Sequence, residues 1–252
     1  MKHFTENRVA AIAQMANGGD NLVMSVRTSR RSVFVVVGTR PEAIKLAPLV
    51  FALRERNDHD CVIVATGQHR ELLHQALHDF DLVANHDLDI MLPDQTLCGV
   101  ASRVVAGMDV LLQAHQPAAV YVQGDTTTTM AAALAAFYHK VPVGHVEAGL
   151  RSHRRHEPFP EEINRRVASQ LADRHYAPTS GARQELLREG ISSDAIVVTG
   201  NTAVDAILHV VRGVGLEGGL ALHAPDLPKL APGNRQILVT CHRRENHGTG
   251  IE

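Results

Sequence analysis

Several short segments of this chain place charged or polar side chains where strands of an α/β protein end, the position at which such proteins bind ligands. In Gly38-Thr39-Arg40-Pro41-Glu42-Ala43-Ile44-Lys45, Pro41 suits a first helical position and Gly38 permits a tight turn. The amides of that helix end can attract an anion, and Arg40 and Lys45 add positive charge to the same spot. A surface Arg and Lys around a structural Pro fits the residues equally well. In Gln123-Gly124-Asp125, followed by the four threonines Thr126 to Thr129, Asp125 either caps the next helix or presents a carboxylate to a cleft. Threonine is a poor helix former and a bare cap does not need four of them, which favours the cleft.

The segment His145-Val146-Glu147-Ala148-Gly149-Leu150-Arg151 puts Glu147 where an apolar residue would continue a core strand. Burying it unpaired is costly, so it reaches solvent, pairs with Arg151 or faces a ligand. In Pro158-Phe159-Pro160-Glu161-Glu162-Ile163-Asn164-Arg165 the acidic pair opens a helix, and complementing the helix dipole is its simplest use. His242, in Thr240-Cys241-His242-Arg243-Arg244, can serve as acid or base beside a phosphate held by the arginines, although a lone histidine is more often structural.

The elements that must position these groups follow from hydrophobic periodicity. Val33–Val37 is a β-branched and aromatic run, and Pro41–Arg56 then carries apolar residues at helical spacing. The alternation continues through strand Cys61–Ala65, helices Glu71–Phe80 and Thr96–His115, strand Ala118–Val122, helix Thr127–His139, strand Val141–Val146 and helix Glu161–Ala172. Strand Arg174–Tyr176, helix Ser180–Glu189, strand Ala195–Thr199 and helix Thr202–Val211 complete it. Uniformly apolar strands between amphipathic helices predict a doubly wound parallel sheet covered on both faces. Residues 1–31 show no period and read as a disordered leader, 32–199 as a Rossmann-like domain, and 200–252 as the start of a second one, with a connector over 213–235 and a strand at Ile237–Thr240. That second segment is too short to bury a core of its own, so it reads as truncated.

Composition narrows the class of partner. Lys and Arg total 25 against 27 Asp and Glu, for a net charge of −2, and no basic block marks a nucleic-acid or membrane footprint. Three scattered cysteines form neither a disulfide framework nor a CxxC metal site, which makes the reducing cytoplasm the expected compartment. The 16 histidines include His153-x-x-His156, but that pair lies among arginines that repel a cation, so no metal site is expected. A small molecule is the expected partner.

Taken in order, GTRPEAIK, GQHRE, QGDTTTT, AAFYHKVPVGHVEAGLRS, PFPEEINR, TGNTAVDA and TCHRREN resemble the bacterial non-hydrolysing UDP-N-acetylglucosamine 2-epimerases over about residues 33–252. The resemblance implies a two-domain fold of the glycosyltransferase-B type with a homodimer formed through the first domain. It also implies cofactor-free interconversion of UDP-N-acetylglucosamine and UDP-N-acetylmannosamine, by elimination of UDP across C1–C2 and its re-addition to 2-acetamidoglucal. The matching positions imply catalytic roles for Asp125, Glu147, Glu161 and His242 and substrate positioning by Arg40 and Lys45, with Gln68, His69 and Arg70 at an activator site. Mutual repulsion in a carboxylate cluster would raise some of its pKa values toward neutrality. A chain lacking most of the second domain is expected to be weakly active or inactive. A hydrolysing relative, a sugar-transferring enzyme of the same fold and a non-catalytic binding fragment are the alternatives.

Overall fold

The computed structural model describes residues 30–67 and 70–214. The expected strand at Ile237–Thr240 and nearly all of the expected leader lie outside the described residues. Seven parallel strands form one sheet in the order β3-β2-β1-β4-β5-β6-β7: β1 Ser32–Val37, β2 Asp60–Ala65, β3 His86–Asp87, β4 Ala119–Gln123, β5 Val143–Val146, β6 Arg174–Ala177 and β7 Ile196–Val198. The intervening helices are α1 Arg40–Arg56, α2 Arg70–His78, α3 Leu97–His115, α4 Thr127–Tyr138, α5 Glu161–Leu171, α6 Ser180–Arg188 and α7 Thr202–Val214. This is the predicted doubly wound sheet. Strand β3 escapes a periodicity reading because it has only two residues, and the first residues of the expected strand Ala195–Thr199 belong to a 3-10 turn, Ser193–Ala195.

Alternation along β1 divides the core between the two faces. Val33, Val35 and Val37 join Leu46, Leu49, Leu53, Leu73 and Leu77 from α1 and α2. Phe34 and Val36 join Val100, Val104, Met108 and Leu112, a row at i, i+4 spacing on α3, and the alanines of α4. By length and composition α3 could also cross a membrane; here that row lies buried in the core of the sheet. The first compact unit runs to Val210. Helix α7 joins it by burying Ala206 in the core and stacking His209 on Phe51 at 4.6 Å between ring centroids.

The strand order reverses between β1 and β4, and this opens a crevice at their carboxyl ends. One buried carboxylate joins its two walls. Glu42 Oε2 accepts hydrogen bonds from the Gly38 amide at 2.6 Å, the Thr39 amide at 2.7 Å and the Thr39 hydroxyl at 3.1 Å. Its Oε1 accepts from the hydroxyls of Thr126 at 2.5 Å and Thr129 at 3.1 Å. Thr126 is the N-cap of α4, and the single Thr129 hydroxyl proton is shared between Glu42 and the Gln123 carbonyl at 2.6 Å, so this network fixes the turn that carries Asp125. Burial raises the Glu42 pKa, opposed by the hydrogen bonds from Thr126, Gly38 and Thr39. Thr128 packs so close to the β1 turn that a Cβ on Gly38 would lie 2.3 Å from its Oγ1. The threonine run is thus a cap and a packing surface at once.

Two histidines lie buried in the sheet itself. His145 and His175 are register partners on β5 and β6 with no exposed surface. His145 Nε2 bonds the Gly124 carbonyl at 2.7 Å, but its Nδ1 and both ring nitrogens of His175 lack a partner among the described residues. Burial holds both imidazoles neutral, with pKa values down to about 4, and the Arg151 charge adds to the effect at both.

Two outcomes follow from these buried groups. Glu42→Ala should lower the unfolding free energy in urea by about 3 kcal/mol or more, because it strands several buried donors, while Glu42→Gln should cost clearly less. For the histidines, the unfolded chain takes up protons below its pKa near 6.5 while the folded chain does not, so stability falls as pH drops from 6.5 toward 4. The slope should be about 1.4 kcal/mol per pH unit for each histidine. His175→Leu should flatten that slope in urea titrations at pH 7 and pH 5.

Candidate active site

Polar groups converge at the carboxyl ends of β4 and β5. The chain leaves β5 through Glu147, whose left-handed backbone (φ 63°) is uncommon for a residue with a side chain. Its carboxylate is held from three sides. Lys45 Nζ of α1 donates to Oε2 at 2.6 Å, Gln123 Nε2 at the end of β4 donates to the same oxygen, and Asn201 Nδ2 from the turn before α7 donates to Oε1 at 2.7 Å. Glu147 therefore does not pair with Arg151, one of the options its sequence left open. Arg151 instead makes a two-pronged bond to Glu189, Nε to Oε1 at 2.8 Å and Nη2 to Oε2 at 2.7 Å, and also donates to Ser169 Oγ at 3.0 Å. That arrangement braces α5 against α6 beneath the site.

Asp125 follows the next turn. Its carboxylate accepts from Arg165 Nη2 of α5, and its carbonyl accepts from Asn164 Nδ2 at 3.0 Å. Asp125 is not the helix cap, since Thr126 fills that place. Burial raises the pKa of its carboxyl; Arg165 opposes the rise, and the neighbouring charges of Glu161 and Glu147 add to it. Glu161 stands at the start of α5, and its Oε2 is buried without a hydrogen-bond partner among the described residues. An acceptor left open beside two other carboxylates is a costly arrangement that a fold does not need for its own stability. The dipole role suggested by its sequence context describes Glu162 no better: that side chain is buried and accepts from the Ser152 amide at 3.0 Å and from Arg166 at 3.2 Å.

The anion expected at the start of α1 is supplied by the chain itself. The Gly38 and Thr39 amides are turned to Glu42, leaving Arg40 exposed at the first helical position and Lys45 committed to Glu147. Of the residues singled out in the sequence, Lys45 meets Glu147 directly, and Asp125 lies within electrostatic reach of Glu147 and Glu161. His242, Gln68 and His69, together with the side chain of Arg70, lie outside the described residues. Sequence reasoning assigned no role to Glu42, Gln123, Arg165 or Asn201. The usable signal was a polar residue closing an otherwise apolar strand, as Gln123 does, or standing between a strand-end glycine and a helix, as Asn201 does. Among the described residues no three His, Cys, Asp or Glu side chains converge as a metal site requires.

The chain is 48% identical over 223 residues to a probable UDP-N-acetylglucosamine 2-epimerase of Ralstonia nicotianae, covering 88% of this chain and 60% of the relative. Against the UDP-N-acetylglucosamine 2-epimerase of Escherichia coli K12 the identity is 47%, over 87% of this chain and 59% of the relative. Among solved structures, that of the Neisseria meningitidis UDP-GlcNAc 2-epimerase bound to UDP-GlcNAc superposes with a TM-score of 0.82 at 44% identity, over 87% of this chain and 59% of that one. The Methanocaldococcus jannaschii UDP-GlcNAc 2-epimerase, solved with UDP-GlcNAc and UDP, gives 0.70 at 37% identity over 77% of this chain and 52% of that one. The chain thus spans about three-fifths of the length of the curated relatives it matches. The sequence profile described as UDP-N-acetylglucosamine 2-epimerase matches residues 51–251, and this chain belongs to that family.

Proposed function

We propose that this chain carries the carboxylate half of a site that interconverts UDP-N-acetylglucosamine and UDP-N-acetylmannosamine, by elimination of UDP across C1–C2 and its re-addition to 2-acetamidoglucal. The observation that carries the reading is the buried Asp125 carboxyl, raised further by the charges of Glu161 and Glu147, together with Glu161 Oε2, which is buried without a hydrogen-bond partner among the described residues. Direct ionisation of a sugar C2–H faces a high barrier. Elimination needs a base at C2, stabilisation of positive charge developing at C1 and donors for the departing diphosphate.

The three carboxylates are unequally free to meet those needs. Both oxygens of Glu147 are engaged by donors, which suits it to a fixed negative charge facing a cationic transition state, with Lys45 as its counter-ion. Asp125, raised by burial, and Glu161, with an open oxygen, are the pair suited to taking and returning the C2 proton. Arg165 keeps Asp125 from sharing a proton too tightly at rest. His242 belongs to the same reading as an acid or base near the leaving diphosphate, with Arg40 as an exposed cation at the crevice edge and residues 68–70 at an activator site. Epimerisation without net hydrolysis and a cytoplasmic location complete the reading. A homodimer is included as well, supported by Phe137 and Tyr138, which stand exposed side by side at the end of α4.

The test is deuterium uptake at C2 of UDP-N-acetylglucosamine in deuterated water, followed by NMR. Slow uptake with UDP-N-acetylmannosamine appearing is the expected result; free N-acetylmannosamine would replace this reading with a hydrolytic one, and failure to bind UDP-N-acetylglucosamine at all would remove it. Asp125→Asn should reduce uptake by about 100-fold or more. Because Asp125 must be ionised to act as base and its pKa is raised, the acid limb of the wild-type rate should lie above the ordinary aspartate range.

A further inference from the structure

Thr199-Gly200-Asn201-Thr202 links β7 to α7 and has no part in the reaction described above, yet its asparagine reaches the site. Asn201 uses both ends of its amide. Oδ1 accepts the Ala203 amide at 2.9 Å at the start of α7, and Nδ2 donates to Glu147 Oε1 at 2.7 Å. Serine, threonine or aspartate would cap a helix as well. Only an amide of this length caps the helix and donates to a carboxylate at the same time, since Asp has no donor when ionised. The helix it starts is seated on the sheet by buried Ala206 and by His209 on Phe51 and Phe80. The same Glu147 carboxylate is held on its other oxygen by Gln123 and Lys45.

We propose that Asn201 is a positioning residue that ties the seat of α7 to the Glu147 carboxylate, so that the first turn of α7 and the ordering of Gln123 and Lys45 around Glu147 depend on one side chain. The inference rests on the reading of Glu147 as part of the reaction site, but the link itself has its own readout. A cap acting alone would leave Glu147 and Gln123 untouched when the donor at residue 201 is removed. A link would not.

Asn201→Asp and Asn201→Ser separate the two. Both keep an oxygen to cap α7, and both remove the donor to Glu147. In the full chain, NMR would follow exchange of the Ala203 backbone amide and of the Gln123 side-chain amide. The Ala203 amide should stay protected, while the Gln123 side-chain protons should exchange about tenfold faster in both variants. Unchanged Gln123 exchange in both, or a change in Asn201→Asp alone, would overturn the proposal, the latter by reducing the effect to charge repulsion. Where the wild-type chain takes up deuterium at C2, Asn201→Asp should also move the acid limb of that activity to higher pH, because two facing carboxylates resist joint ionisation. A wild-type chain without uptake would count against the reaction assigned above, and the Gln123 exchange would still decide the role of Asn201.

Discussion

The Glu42 carboxylate sits at the one place where the doubly wound sheet is open, and the crevice depends on it. A buried charge is tolerated only when donors surround it, and here the donors come from both walls: two amides and a hydroxyl from the β1 turn, two hydroxyls from the start of α4. Because the Gln123 carbonyl and the α4 cap belong to the same network, the positions of Gln123 and Asp125 are set by a group that never meets the crevice.

Around that strut the carboxylates form a series of decreasing satisfaction. Glu42 has donors on every side, Glu147 has Lys45, Gln123 and Asn201, Asp125 has Arg165, and Glu161 keeps one buried oxygen open. Stability favours the first kind of environment and chemistry requires the last. The series therefore orders these residues by how far the fold itself satisfies them, without reference to any relative. It also accounts for the unusual density of charge at the ends of β4 and β5, which no requirement of the core would produce.

Much of this was legible in advance. Uniformly apolar runs such as Val33–Val37 mark strands buried on both faces, and the alternation with amphipathic helices identifies the parallel sheet. Asp125 and Glu147 stand at strand ends where a charge interrupts an apolar run, whereas Glu161, in a first helical turn, looks ordinary until the sheet is assembled. What remained hidden depends on side chains meeting across the sheet. Nothing local says that Glu147 turns to Lys45, 102 positions away in sequence, rather than to Arg151 four residues on. Glu42 resembles any acidic residue in a first helical turn until Thr126 and Thr129 are brought against it. The two-residue β3 carries too few side chains to show a period, and the buried histidines of β5 and β6 look polar to any reading that has not yet assembled the sheet.

The Gly38 turn carries one further consequence. In many α/β proteins the corresponding turn is where a phosphate rests, on amides left unfilled by the helix. Here a side chain three residues on from Thr39 occupies those amides permanently, and a competitor tethered at so short a range outweighs any free anion at cellular concentration. The turn is thereby closed to inorganic phosphate, sulfate and stray nucleotides by self-occupancy rather than by a steric gate. Any diphosphate approaching this unit must find its donors elsewhere than on the amides of this turn.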